Sequence, residues 1–167
     1  MRTSGVRSTL GALALLLSAG CFYGFAGGGL PSHIKTVAVL PFENETAVPE
    51  LQREITEQLR REMQGRLGVR SASESRADAI VRGRILRYDA DVPVSFSADQ
   101  RQVTSAQRKL QITLDVEIVE QASGRTLWQR KGLTADAEYQ ERGEPAGRRI
   151  AIERVVNDVI EGAQSQW

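Results

Sequence analysis

The spacing of apolar residues changes several times along this chain, and two stretches have the spacing of an amphipathic helix. Between Val48 and Leu67 the apolar positions recur every four residues, so they form one stripe on a helix. Pro49 suits the first turn of that helix, and Gly68 is a typical residue directly after a helix end. A second helix is predicted from Pro145 to the C-terminus, where the apolar positions again share one face.

Strands are predicted where apolar residues run together or alternate with polar ones. The run at 34–42 predicts a strand that is buried on both faces. Strict alternation at 109–118 predicts a strand with one wet face. After a turn at 122–124, the last strand is expected at 126–139.

Another strand with alternating apolar residues is predicted from residue 80 to residue 96, and its pattern changes parity at Ile85 and Leu86. Such a change predicts a β-bulge, because one extra residue moves the following side chains to the other face. With a bulge at this point, Arg82, Arg84 and Arg87 all lie on the outer face of the sheet. A hairpin turn is expected at 98–101.

The predicted elements follow the order β-α-β-β-β-α, with a further short strand at 69–71. Antiparallel strands that are wet on one face, together with two amphipathic helices that can cover the other, are typical of an α+β fold. We therefore predict a two-layer sandwich, in which a mainly antiparallel four-stranded sheet carries both helices on one face.

The N-terminal residues have the layout of a secretory signal peptide. Arg2 and Arg7 precede an apolar run at 10–17, which has about half the length of a membrane span, and small residues at 18–20 lead to Cys21. This layout resembles the lipobox of bacterial lipoproteins, which implies an acylated Cys21 and a protein that is anchored to a membrane rather than spanning it. The alternative is an ordinary secreted protein with an incidental cysteine.

The predicted division is a signal peptide at 1–20, an acylated cysteine with a Gly-rich tether at 21–31, and a single domain at 32–167. The chain has 22 Lys and Arg against 21 Asp and Glu, and the signal peptide holds two of the arginines and no acidic residue. The remaining 20 basic and 21 acidic residues are nearly balanced. A nucleic-acid-binding protein normally has a basic excess, so no nucleic-acid partner is expected.

Few residues are available for catalysis or metal binding. His33 is the only histidine and Cys21 the only cysteine, so a zinc site, which needs several nitrogen or sulfur ligands, is not expected. No carboxylate pair is singled out for acid–base hydrolysis, and a serine nucleophile would have only His33 as its base. The sequence predicts a binding or assembly protein with no cofactor besides the covalent lipid. The alternative is an enzyme whose active site is built from Asp and Glu.

Several segments, in their order and spacing, resemble the LptE family, and a C-terminal amphipathic helix is also expected there. The segments are Cys21-Phe22-Tyr23; Leu30-Pro31 with His33-Ile34-Lys35-Thr36-Val37-Ala38-Val39, Pro41-Phe42, Asn44 and Thr46; Ala77-Asp78-Ala79-Ile80-Val81-Arg82-Gly83-Arg84-Ile85; and Ser123-Gly124-Arg125-Thr126-Leu127-Trp128. The family's proteins are outer-membrane lipoproteins that partner the lipopolysaccharide-export barrel LptD. The resemblance implies a domain that plugs the LptD lumen, assists the folding of the barrel and helps pass lipopolysaccharide to the outer leaflet.

The implied ligand carries phosphate and acidic sugar groups, which arginine binds through forked, charge-assisted hydrogen bonds. We therefore predict lipopolysaccharide contacts on one strand and its hairpin partner, namely Arg82, Arg84, Arg87 and Lys109. The alternative is that these are ordinary solvated residues, which protect an exposed sheet face from aggregation.

The stretch 39–46 also resembles segments of other envelope lipoproteins. The main alternative is a periplasmic activator of a peptidoglycan synthase, of the LpoB type, in which a long linker between lipid and domain reaches through the cell wall. The tether at 21–31 has about 11 residues and spans at most about 40 Å, which favours an outer-membrane partner. A secretion-pore subunit resembling CsgG is a third alternative, for which the chain is short.

Overall fold

Two helices and six strands make up the part of the chain that the computed structural model describes, residues 30–92, 108–140 and 142–165. The strands and helices, in chain order, are β1 (Thr36–Val39), β2 (Glu43–Asn44), α1 (Glu50–Arg66), β3 (Arg70–Ser71), β4 (Ala79–Val92), β5 (Arg108–Glu120), β6 (Thr126–Tyr139) and α2 (Glu144–Ser165). A 3₁₀ turn at Glu74–Arg76 precedes β4. Both predicted helices and the long predicted strands are confirmed in the described residues, with some ends shifted by a few residues, while the predicted strand end at 93–96 and residues 166–167 lie outside them.

All strands belong to one mixed sheet with the order β3-β1-β4-β5-β6, and β2 also pairs with β4. β4, β5 and β6 are antiparallel, whereas β1 is parallel to both β3 and β4. The prediction of a four-stranded, mainly antiparallel sheet is therefore wrong in its detail. The chain passes from β1 through α1 to β3, and such a crossover brings the next strand back in the parallel direction. β2 and β3 have two residues each, too few to show a periodic pattern.

Both helices pack on the same face of the sheet. α2 contacts β5 and β6, α1 contacts β1, β2 and β3, and the two helices contact each other. On β5, every second residue from Leu110 to Ile118 is buried in this core, while the residues between them are half-buried. The predicted two-layer arrangement with one wet face is confirmed.

Two glycines allow close packing between layers. A Cβ atom on Gly83 in β4 would clash with the Phe42 ring and would lie 2.6 Å from a backbone oxygen of β5. A Cβ atom on Gly162 in α2 would lie 2.6 Å from two atoms of the Trp128 indole. Phe42 and Trp128 are buried, so each aromatic ring fills the space that its glycine leaves open.

β6 is a long edge strand with an irregular backbone. Its pairing with β5 shifts register beside Asp115, where Lys131 and Gly132 together face one residue, and again beside Trp128. Gly132 has a φ of 63°, a left-handed conformation that favours glycine. Arg154 of α2 donates a hydrogen bond of 2.5 Å to the backbone carbonyl of Asp136 on this strand.

The signal peptide, Cys21, nearly all of the tether and the hairpin turn at 98–101 lie outside the described residues, so their predictions remain predictions. In the described part of the chain, neither helix combines the length and the apolar character needed to cross a membrane.

Candidate functional site: the open face of the sheet

The outer face of β4, β5 and β6 carries polar and charged side chains, and both helices lie on the opposite face. We call this surface the open sheet face. Its residues are Arg82, Arg84 and Arg87 from β4; Lys109, Gln111, Thr113, Asp115 and Glu117 from β5; and Gln129, Lys131, Thr134 and Asp136 from β6.

Three of the four predicted contact residues form one row on the open sheet face. In the pairing with β5, Arg82 lies opposite Glu117, Arg84 opposite Asp115 and Arg87 opposite Thr113. The partners are two residues apart, so neighbouring arginines are about 7 Å apart along the strand. The register shifts between Ile85 and Arg87, which confirms the predicted bulge and explains why all three arginines share one face.

The fourth predicted contact lies at the other end of the sheet. Lys109 faces Val92 on β4, and it lies eight positions along β5 from Glu117, the partner of Arg82. That separation corresponds to about 26 Å along the strand. The structure therefore brings Arg82 and Arg84 together, places Arg87 one step further along, and does not bring Lys109 to them.

Each of these cations forms an ion pair with a carboxylate. The pairs are Arg82 with Glu117; Arg84 Nε with Glu43 at 2.9 Å and with Glu45 at 3.4 Å; Arg87 Nε with Asp89 at 3.9 Å; and Lys109 Nζ with Asp136 at 3.0 Å. The hydrogen bond to Glu43 and the negative charge of that carboxylate raise the pKa of the Arg84 guanidinium. All these pairs are at least partly exposed, so solvent screens them and each contributes little to stability.

A shallow depression of about 440 Å³ lies at the Arg82 end of the open sheet face. It is lined by Glu43, Arg82, Gly83, Arg84, Asp115, Val116, Glu117, Gln129 and Lys131. The bulge in β6 places Lys131 at this depression, and the Gly132 backbone N–H donates a hydrogen bond of 2.7 Å to Asp115 Oδ1. The depression is thus the place where the predicted arginines meet other charged groups.

Four charged residues of the depression were not among the predicted contacts, namely Glu43, Asp115, Glu117 and Lys131. Glycine inside a strand is a bulge signal, and Gly132 is the one feature of the sequence that points to an irregular backbone next to Lys131. Glu43 reaches Arg84 from β2, 41 positions earlier in the chain. No local pattern in a single sequence can reveal such a pairing.

Asn44 and Thr46, which belong to the segments that resemble the LptE family, shape the turn that leads into α1. Asn44 Oδ1 accepts hydrogen bonds from the backbone N–H and the hydroxyl of Thr46, at 3.0 and 2.8 Å. The Asn44 amide donates to the Val48 carbonyl at 2.9 Å. These contacts fix the backbone locally, as side chains of Asn and Thr do in turns.

His33 lies where the chain enters the domain, and it contacts the far end of β5. Its Nε2 atom is 2.5 Å from Glu120 Oε1. Hydrogen bonds from Ser123 and His33 lower the pKa of the Glu120 carboxyl, with a further contribution from the positive charge of Arg125. His33 therefore joins the N-terminal segment to the β5–β6 turn. In residues 30–92, 108–140 and 142–165, no group of three or more His, Cys, Asp and Glu side chains is placed to hold a metal ion.

The family model for lipopolysaccharide assembly, LptE, matches residues 34–162, which is more than three quarters of the chain. The chain belongs to the LptE family. The resemblance inferred from the sequence segments is thereby confirmed. The LptE family is a non-enzymatic family of lipopolysaccharide-assembly lipoproteins, so this member is not an enzyme.

Solved structures with the same fold support the architecture of this LptE-family chain. A PelC dodecamer from Paraburkholderia phytofirmans has a TM-score of 0.52 at 17% identity, over 77% of this chain and 91% of that chain. The hypothetical protein CT253 from Chlamydia trachomatis has a TM-score of 0.51 at 12% identity, over 78% of this chain and 96% of that one. Protein XCC0632 from Xanthomonas campestris has a TM-score of 0.50 at 11% identity, over 79% and 86% of the two chains. A search of curated proteins found no match.

Proposed function

We propose that this LptE-family chain is an outer-membrane lipoprotein that plugs and helps assemble an LptD-type β-barrel, and that it assists lipopolysaccharide transport to the outer leaflet. The observation that carries the proposal is the family match over residues 34–162, which includes every described strand, all of α1 and most of α2. In this proposal Cys21 is acylated and anchors the chain, and the domain faces the periplasm or the barrel lumen.

The open sheet face supports a location inside a barrel. The interior surface of a large membrane barrel is polar and hydrated. The side chains of the open sheet face are charged or polar, and its arginines are paired with carboxylates of the same domain. This surface has no large apolar area that must be buried. It can therefore lie against the hydrated interior of a barrel at little desolvation cost.

We also propose that the cations of this face contact lipopolysaccharide. Arg82 and Arg84 point into the depression, and Arg87 continues their row. Along the strand direction Lys109 lies about 26 Å from Arg82, so it would contact a different group of the same large ligand. Lipopolysaccharide carries several separate anionic groups, which suits cations that are spread along a face rather than gathered in one pocket.

The place where the tether reaches the domain gives the anchored domain an orientation. His33 contacts Glu120 at the end of β5, so the chain enters beside the β5–β6 turn. A tether of about 11 residues spans at most about 40 Å. The proposal therefore puts this turn closer to the membrane than the end of the sheet that carries Lys109.

The test is affinity purification of the tagged, full-length chain from detergent-solubilised envelopes, with mass spectrometry of what co-purifies. Recovery of a large β-barrel of the LptD type in near-equal amount is the expected result. A Cys21→Ala variant, which cannot be acylated, serves as the control for the anchor and should be released from the membrane fraction. Recovery of a peptidoglycan synthase, or of no barrel, would overturn the proposal, and the synthase would favour the activator alternative.

A further inference from the structure

The depression on the open sheet face has equal numbers of positive and negative groups. Three cations line it, and so do three carboxylates: Arg82, Arg84 and Lys131 with Glu43, Asp115 and Glu117. Its formal charge is therefore zero. A neutral surface has little long-range attraction for anions, so affinity for an anionic ligand must depend on which of these charges are already satisfied.

The two arginines are already held by carboxylates. Arg82 donates to Glu117 and Arg84 donates to Glu43, in both cases through Nε. Within the described residues neither guanidinium makes another hydrogen bond, although each has five N–H donors. The remaining donors stay open to the depression, since 61% of the Arg82 side chain and 49% of the Arg84 side chain are exposed. A phosphate that binds them is brought close to Glu117 and Glu43, and these like charges repel it.

Lys131 differs from the two arginines. In the part of the chain that the structure describes, its ammonium group has neither an ion pair nor a hydrogen bond, and the residue is exposed. The bulge formed with Gly132 brings it to the same depression. Lys131 is therefore the one cation lining the depression whose charge no described carboxylate offsets at ion-pair distance.

We propose that Lys131, Glu43 and Glu117 set the affinity and the selectivity of this depression for phosphate groups. Lys131 supplies the attraction, while Glu43 and Glu117 compete with the ligand for Arg84 and Arg82. The depression therefore binds a phosphate more weakly than its three cations alone would, because the phosphate must displace these carboxylates. This inference rests on the proposed role in lipopolysaccharide handling, and it assigns Lys131 as a contact that the sequence did not suggest.

The experiment measures binding of bisphosphorylated lipid A to the full-length, lipidated chain in detergent micelles, with dephosphorylated lipid A as the comparison ligand. We expect Lys131→Gln to bind about three- to fivefold more weakly, and Glu43→Gln/Glu117→Gln to bind about three- to tenfold more tightly. Binding of the dephosphorylated ligand should be unchanged in both variants, because it carries no phosphate charge for these residues to attract or repel. Thermal melting of each variant checks that the fold is retained.

Matched controls separate local effects from the change in total charge. Lys35→Gln removes an exposed lysine outside the depression, and Glu74→Gln/Glu153→Gln neutralises two exposed carboxylates on other surfaces. Both controls should bind like the wild type. Unchanged or weaker binding by the Glu43→Gln/Glu117→Gln variant would overturn the competition, and unchanged binding by Lys131→Gln would overturn its assignment.

Failure of this inference can be distinguished from failure of the proposed function. If the wild type binds lipid A and none of the substitutions in the depression matters, the ligand binds elsewhere and only the inference is overturned. If the wild type does not bind lipid A but the barrel co-purifies, the inference is likewise overturned while the partnership stands. If neither lipid A nor the barrel is recovered, both are overturned.

Discussion

Asp78 and Thr36 are joined by hydrogen bonds in both directions. Asp78 Oδ2 accepts from the Thr36 backbone N–H and from its hydroxyl, each at 2.8 Å, and the Asp78 backbone N–H donates to the Thr36 hydroxyl at 3.0 Å. The same carboxylate oxygen accepts from the Lys35 N–H at 2.9 Å. One side chain just before β4 thus fixes the start of β1, which gives the aspartate of the Ala-Asp-Ala segment a structural role.

These hydrogen bonds make stability depend on pH. The Thr36 hydroxyl, followed by the N–H groups of Lys35 and Thr36, lowers the pKa of Asp78 below its ordinary value. Because the folded pKa is lower than the unfolded value of about 3.9, the stabilisation is complete above that pH and is lost as the pH falls through the folded value. The difference in urea midpoint between wild type and Asp78→Asn should be largest near about pH 6 and shrink toward about pH 3. Asp158→Asn, an exposed position on α2, is the control, and a gap for Asp78→Asn that does not change with pH would contradict the prediction.

Replacing either of two helical glycines by alanine should change the free energy of unfolding, but in opposite directions. A Cβ atom on Gly65 of α1 has open space around it, so Gly65→Ala should stabilise the domain by up to about 1 kcal/mol through helix propensity. A Cβ atom on Gly162 of α2 meets the Trp128 indole, so Gly162→Ala should destabilise by about 1–3 kcal/mol. Urea unfolding measures both, and Trp128→Phe combined with Gly162→Ala should recover part of the loss. Equal signs for the two alanine variants would refute this packing argument.

The phenol of Tyr88 should make stability fall at high pH. It donates to the Glu144 carboxylate at the start of α2, and burial, followed by this carboxylate, raises the pKa of Tyr88. The folded pKa exceeds the unfolded value of about 10, so the stabilisation is present below that pH and is lost as the pH rises above it. Tyr88→Phe should cost about 1–2 kcal/mol at neutral pH. In thermal melts, the difference in midpoint between Tyr88→Phe and the wild type should be constant below about pH 9 and narrow as the pH rises above about 10, and a difference that stays constant at high pH would count against the prediction.

Removing the arginine row should weaken lipopolysaccharide binding without unfolding the domain. The four ion pairs of Arg82, Arg84 and Arg87 are largely exposed to solvent, so Arg82→Ala/Arg84→Ala/Arg87→Ala should leave the domain folded, with a thermal midpoint close to that of the wild type. The charge-assisted hydrogen bonds to the ligand are stronger, so the Kd of the full-length chain for lipopolysaccharide should rise at least about tenfold.

The control for this prediction removes three exposed arginines from other surfaces. Arg53 is on α1, Arg70 on β3 and Arg149 on α2, and all three are exposed. Arg53→Ala/Arg70→Ala/Arg149→Ala changes the net charge by the same amount as the variant of the arginine row. Equal loss of binding in both triple variants would show a general charge effect. Unchanged binding in the variant of the arginine row would overturn the proposed contacts.

Local sequence patterns were enough to predict the helices, the long strands and the bulge at Leu86, because each depends on neighbouring residues. The parallel pairing of β1 with β4 depends on contacts such as Val37 with Ala79, which are 42 positions apart. Periodicity within a strand says which face is buried but does not say which strand lies beside it. The parallel direction of that pairing therefore cannot be predicted from local sequence patterns.

The candidate site divides in the same way. The outward position of Arg82 and Arg84 follows from alternation along β4, so the sequence predicts it. Their neutralisation by Glu117 and Glu43 depends on register with β5 and on β2, a strand of two residues. The presence of Lys131 in the depression depends on a bulge in β6. The charge balance of this surface depends on residues from several strands, so it cannot be predicted from the sequence of one strand.

The edge of the sheet at β6 determines how neighbouring molecules can meet. A regular edge strand of 14 residues offers a row of backbone groups on which a strand of another molecule can form. The two register shifts, the exposed cations Arg130 and Lys131, and the arginine of α2 that contacts the Asp136 carbonyl all interrupt that row. The proposed lipid anchor would confine many copies to one plane, where pairing between the edge strands of neighbouring copies would be most frequent. The irregular edge therefore keeps crowded copies apart as separate folded units.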